Sequence, residues 1–261
     1  MHVGFIHGVM NTDNMGIPGE SIDFGPCAFM EAYDPRAVFS SIDEMGRYAY
    51  AEQPGIARWN LARLAETLLP LIDANEGHAI TLATEVIDAF PERYQHHWLA
   101  GLRAKLGLSG QVASGDAADT ALGESWLDLL HAQGVDFTLA WRRLGDAAEG
   151  FDAPLRALFP GQPGLGRWLQ RWRERCAAED AGADRAALRA EAMRRVNPWL
   201  IPRNHRVEEA LDAASDAGDL GPFESLLNAL QRPFDENPAL ARHAEPAPGE
   251  FMAQFRTFCG T

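Results

Sequence analysis

Lysine is nearly missing from this sequence: Lys105 is the only one, and arginine supplies the rest of its 23 basic residues. Set against 37 acidic residues, this leaves a formal net charge of −14. A chain so short of positive charge is a poor match to nucleic acid or an anionic membrane, where clustered cations supply much of the affinity. Cysteine is scarce as well. Cys27, Cys176 and Cys259 stand apart, with no CxxC spacing, which excludes a disulfide scaffold and fits a reducing, cytoplasmic setting. No uninterrupted apolar run reaches the roughly 18 residues of a membrane span. The first residues also show neither the basic segment nor the apolar core of a secretory leader. What is present is ordinary for a globular protein: 46% hydrophobic and 23% charged over 261 residues, enough to bury a sizeable core.

The order of residue types divides the chain. Residues 1–55 are rich in Gly, Pro, Asn and Asp with short apolar runs, a pattern that predicts short strands and ordered loops. After Pro54 the apolar period lengthens. Leu61, Leu64, Leu68 and Leu71 form one stripe at helical spacing; Leu165, Trp168, Leu169 and Trp172 form a second. Leu220, Phe223, Leu227 and Leu230 form a third, and each stripe is expected to face a core. Asn204 predicts a helix cap, with Gly218 near that helix's end. Residues 109–119 and 145–166 are Gly-, Pro-, Ala- and Asp-rich and predict loops. Prolines 233, 238, 246 and 248 predict an extended tail. The expected architecture is mainly α: a strand-and-loop segment over 1–55, a helical body over 56–232 and a tail over 233–261.

Chemistry-bearing residues concentrate in the first segment. His7-Gly8-Val9-Met10-Asn11-Thr12-Asp13-Asn14 is followed nine residues after Asn14 by Asp23-Phe24-Gly25-Pro26. An amide oxygen and a carboxylate from two loops suit Mg²⁺, which takes few protein ligands and completes its shell with water and phosphate oxygens. A further carboxylate can accept the proton of a hydroxyl nucleophile. The phosphoryl-transfer template has these parts: a catalytic-loop Asp, a metal-binding Asn and the Asp of a DFG triplet. Here, however, the base position two residues after the His is Val9, which cannot accept a proton, and the acid stands at Asp13 instead. Taken alone, Asp13 and Asn14 could equally cap a helix or make an Asx turn, and Asp23 could be a turn residue. His7 reads as a brace for the loop rather than a catalytic group.

The block HGVMNTDNM, together with DFGP, GRYAY (46–50), QP-x4-WNLARLA (53–65), NP-x2-IPRNH (197–205) and the terminal TFCGT, resembles the selenoprotein O family. The resemblance runs from about residue 3 to the last residue. It implies the C-terminal lobe of a protein-kinase-like fold and an enzyme that transfers AMP from ATP to Ser, Thr or Tyr hydroxyls of protein substrates. Carried over position by position, Asp13 is the proton acceptor, Asn14 and Asp23 bind Mg²⁺ (or Mn²⁺), and Asp23 contacts ATP through the metal. Family members often read Ser-Ile-x-Gly after NTDNM; Gly16-Ile17-Pro18-Gly19 stands there in this chain.

Members of that family are about twice as long, and their N-terminal half supplies the nucleotide lysine, its glutamate partner and phosphate-binding arginines. The resemblance therefore implies a missing N-terminal lobe and weak ATP binding by this chain alone. Charge agrees independently: residues 1–100 hold five arginines, no lysine and fourteen acids, a net of −9 that repels a triphosphate. A catalytically silent interaction lobe and a phosphotransferase using the same metal ligands are the alternatives. Cys259 matches the family's C-terminal redox position. The partner cysteine of some members falls near residues 38–43, where Phe39 stands here, so Cys27 is the remaining candidate to pair with it; a plain tail thiol is the other reading.

Overall fold

A computed structural model describes residues 1–110, 115–161, 164–180 and 185–258. Among these residues the protein is mainly helical, as expected, and its sheet has two short strands, β1 (Phe5–Ile6) and β2 (Ala28–Phe29). The chain forms two compact units, one of residues 5–28, 35–98 and those from 256 on, the other of residues 1–4, 29–34 and 99–255.

The smaller unit begins with polar loops. Gly8 shows why a glycine follows His7: its φ is +88°, and a Cβ there would lie 2.3 Å from the Pro26 carbonyl oxygen. After a 3₁₀ turn at Tyr50–Glu52, α1 (Gln53–Ile72) starts with Pro54 in its first turn, where the missing N–H costs nothing. The side chain of Asn75 caps α2 (Glu76–Asp88) by accepting the His78 N–H at 3.0 Å. α3 (Phe90–Leu106) follows and belongs to this unit as far as Trp98.

The larger unit holds α4 (Gly115–Gln133), α5 (Phe137–Ala148), α6 (Ala153–Ala157), α7 (Gly164–Asp180), α8 (Ala186–Val196), α9 (Asn204–Ala217) and α10 (Gly221–Leu230). Its core is built on tryptophan. Trp126, Trp141, Trp168 and Trp172 are all buried, with the Trp126 and Trp168 rings 4.4 Å apart. The stripe at Leu165, Trp168, Leu169 and Trp172 thus faces inward as expected. Arg203 is completely buried between the carboxylates of Glu31 and Asp136, and it also donates to the Ala244 carbonyl at 3.2 Å.

Several expectations fail. Of the stretches 109–119 and 145–166, residues 111–114 and 162–163 lie outside the described residues, while 115–119, 145–148, 153–157 and 164–166 are helical rather than loop, because buried contacts override weak propensity. Asp119, for instance, is buried in α4 between Arg103 and Arg175. Asn204 does not cap α9; its amide pairs with the Phe29 backbone, donating to the carbonyl at 2.9 Å. Gly218 does end α9, at φ +65°. In α10 the inward residues are Leu226 and Ala229, while Leu220, Phe223 and Leu227 are exposed. The α1 stripe is also turned outward: Leu61, Leu68 and Leu71 are exposed. The proline-rich stretch carries two short helices, α11 (Ala241–Ala244) and α12 (Gly249–Gln254).

Candidate active site

The polar loop of the smaller unit is held from beneath by α1. Gln53 accepts the His7 N–H at 3.0 Å and donates to the carbonyls of Phe5 and Tyr50, at 3.0 and 3.3 Å. Two turns further on, Asn60 donates to the Met10 carbonyl at 3.0 Å. These two polar residues are the ones α1 buries. The His7 ring is buried, and its Nδ1 lies 3.4 Å from the Val9 N–H that it accepts. Burial lowers its pKa against the opposing pull of Asp23's charge, so the ring stays neutral near pH 7. That is the geometry of a brace.

The chain then tightens into a 3₁₀ turn at Thr12–Asn14, and Asp13 sits exposed on it. The Tyr48 hydroxyl donates to the Asn11 side chain at 2.6 Å and steadies the entry to this turn. Asn14 spends its amide N–H on the Val9 carbonyl at 2.9 Å, which fixes the amide's orientation. Its own carbonyl accepts the Ile22 N–H at 3.2 Å. Between them the chain makes a closed loop: Met15 bridges Ser21 in antiparallel fashion, and Gly16 donates to the Glu20 carbonyl at 2.8 Å. The backbones of Asn14 and of Ile22, the residue before Asp23, are thereby joined at the loop's base. Asp23 is half-buried, and one carboxylate oxygen accepts the Gly25 N–H at 2.9 Å.

This donor set fits a hard cation. It offers one oriented amide and one carboxylate, both oxygen donors, and Mg²⁺ needs no more from protein. Among the described residues no three His, Cys, Asp or Glu side chains converge as a fuller metal cage. Burial, with Asp23's charge adding to it, raises the pKa of the Cys27 thiol four residues on. Cys259 lies outside the described residues, as does any pairing with it.

Sequence reasoning assigned no role to Tyr48, Gln53, Asn60 or Thr257, yet each holds the loop. Thr257 donates its hydroxyl to the Pro26 carbonyl at 2.7 Å and pairs its backbone with Phe39 and Ser41, bringing the chain's far end to the loop that carries Asp23. A signal existed for the α1 pair: Gln53 and Asn60 are seven residues apart, two turns, and therefore share a face.

The family model described as protein adenylyltransferase SelO matches residues 1–231. Along its whole length the chain is 55% identical to the protein nucleotidyltransferase YdiU of Chromobacterium violaceum, of which it covers 53%. It is 54% identical to the protein of the same name from Rhizobium etli (strain CIAT 652) and 56% identical to that of Mycobacterium sp. (strain KMS), covering 51% of each. The chain thus spans about half the length of the curated relatives it matches. With a family model matched over most of its residues and relatives at more than half identity from end to end, the chain belongs to the SelO family.

Proposed function

We propose that this chain carries the metal-binding and proton-accepting part of a protein adenylyltransferase, within the C-terminal lobe of a kinase-like fold. Its substrates are ATP and the Ser, Thr or Tyr hydroxyls of other proteins, and its setting is the cytoplasm. The observation that carries the reading is the closed loop whose base ties Asn14 to Ile22, next to Asp23, with exposed Asp13 on the preceding turn. Family membership supports it.

Asn14 and Asp23 would hold Mg²⁺, or Mn²⁺ in its place. When bound, the ion supplies charge neutralisation on the phosphates. Asp13 would accept the hydroxyl proton as the substrate oxygen forms its bond to the α-phosphorus. The bond from that phosphorus to the bridging oxygen breaks, and pyrophosphate leaves with the electron pair. Cationic groups for the triphosphate come from a lobe this chain does not match, since residues 1–100 hold no lysine and a net charge of −9.

The test uses ATP labelled at the α- or the γ-phosphate, with the chain joined to the unmatched half of the Chromobacterium violaceum relative and offered protein acceptors. Label from the α-position on protein is the expected result. Label from the γ-position would make the protein a phosphotransferase. No transfer from either would make this a silent interaction lobe, a reading that the acidic loop segment favours for the chain by itself.

A further inference from the structure

The smaller unit leaves its helices uncovered. α1 runs for 20 residues, yet Gln53 and Asn60 are its buried side chains; α2 runs for 13 and buries Ala79 alone. Leu61, Leu68 and Leu71 on α1 and Ile80 and Val86 on α2 are exposed, Leu71 to 83%. Two clefts flank α1. One, of about 460 Å³, is lined by Leu61, Leu64 and Ile17; the other, of about 330 Å³, lies between α1 and α2 beside Ala65, Leu69 and Ile80. A helix that buries its amides and shows its leucines to water has its apolar stripe waiting for cover, and exposed apolar surface of this kind marks an interface.

We propose that the α1–α2 face of the smaller unit is the docking surface for the half of SelO-family proteins that this chain does not match, presented as an apolar surface rimmed by Lys and Arg. The inference rests on the proposed function only in taking the active protein to contain both halves. Length is the first argument. Every residue of this chain is matched in the Chromobacterium violaceum relative, yet 47% of that relative has no counterpart here, so an occupant of comparable size exists in the family. Charge is the second. The segment bearing the face has five arginines, no lysine and fourteen acids over residues 1–100. Pairing two copies through it would oppose like charges, whereas a basic rim is complementary.

The full chain is titrated with the separately expressed unmatched half of the Chromobacterium violaceum protein, and binding is read by calorimetry. In parallel, amide hydrogen exchange of α1 and α2 is compared between the chain alone and the chain fused to that half. A one-to-one complex is expected, with slower exchange in both helices on fusion. Leu68→Glu, at a site 39% exposed, with folding of the variant checked by its unfolding curve, weakens binding by about tenfold or more, while Leu211→Glu on the exposed face of α9 leaves it unchanged. Exchange that fusion does not alter overturns the proposal, as does binding indifferent to Leu68→Glu. A dimer of the chain alone that Leu68→Glu dissociates also overturns it, in favour of a second copy. A complex that forms but transfers no label keeps the docking surface and refutes the activity instead.

Discussion

Asp13 and Asp23 are both carboxylates of one loop system, but they sit in different surroundings, and the proposed function gives them different roles. Asp13 is exposed on a tight turn; Asp23 is half-buried and accepts the Gly25 N–H. If those roles hold, removing each should fail differently in the chain joined to the unmatched half of the Chromobacterium violaceum relative. Asp13→Ala should lower the transfer rate by about 10²–10⁴, the range of general-base catalysis, with nucleotide affinity unchanged. Asp23→Ala should abolish the Mg²⁺-dependent part of nucleotide binding. Calorimetry with and without the cation, beside label transfer, separates the two. An Asp13→Ala protein of full rate would remove Asp13 from its role. The loop residues themselves were legible because their types and spacing are chemically specific. Tyr48 and Thr257 were not, since a lone hydroxyl acts here only through a partner 37 or 231 residues away, and no local pattern marks such a pair.

Among the elements, α1 shows how a correct period can yield a wrong orientation. The leucines recur at helical spacing and a helix forms, but Gln53 and Asn60 keep the same rhythm on another face, and that face is turned inward. Hydrophobic periodicity identifies a stripe; it does not say whether the surface that covers it lies within the same chain. The Trp168 and Trp172 stripe of α7 was legible because α4 and its Trp126 supply that cover locally. The helical start of α4 at residues 115–119, within a stretch expected to be loop, was not legible because Asp119 is held by Arg103 and Arg175 rather than by local propensity. An inverted α1 makes a measurable claim. Gln53→Ala deletes its hydrogen bonds to the His7 N–H and to the Phe5 and Tyr50 carbonyls at a buried site, so it should destabilise by about 1–3 kcal/mol. Leu71→Ala, normally the severe change in a helix stripe, should stay within about 0.5 kcal/mol because that residue is 83% exposed. Urea unfolding of the two variants decides it, and the reverse order would restore the stripe to a core.

For the whole molecule, the pH dependence of folding should carry the mark of one buried cluster. Glu31 and Asp136 share a single cation, the guanidinium of Arg203, and Glu31 also accepts the Ala247 N–H at 3.3 Å. Burial first, with Asp136's charge adding to it, raises the Glu31 pKa from 4.5 to about 7 against the pull of Arg203. With Glu31 protonated the cluster is neutral; ionised, it holds an excess negative charge out of water. Between pH 4.5 and 7 the unfolded chain releases this proton and the folded protein keeps it, so the Glu31 contribution to stability is whole below 4.5 and is lost as pH rises through 7. Histidines 7, 205 and 243 act in the opposite sense. Burial lowers their pKa values, so they favour the folded state above the ordinary histidine range and cost it stability below. The wild-type curve mixes these with other buried groups, Lys105 and His2 among them, and the variant that isolates the carboxyl is Glu31→Gln, which copies its protonated form. Near pH 4.5 variant and wild type should unfold at similar temperature. Toward pH 8 the variant should become the more stable, by a margin on the order of 2–3 kcal/mol that grows across the neutral range and then levels off. A stability difference between the two proteins that stays constant from pH 4.5 to 8 would show that Glu31 is ionised throughout, and the buried cluster would then be a charged one.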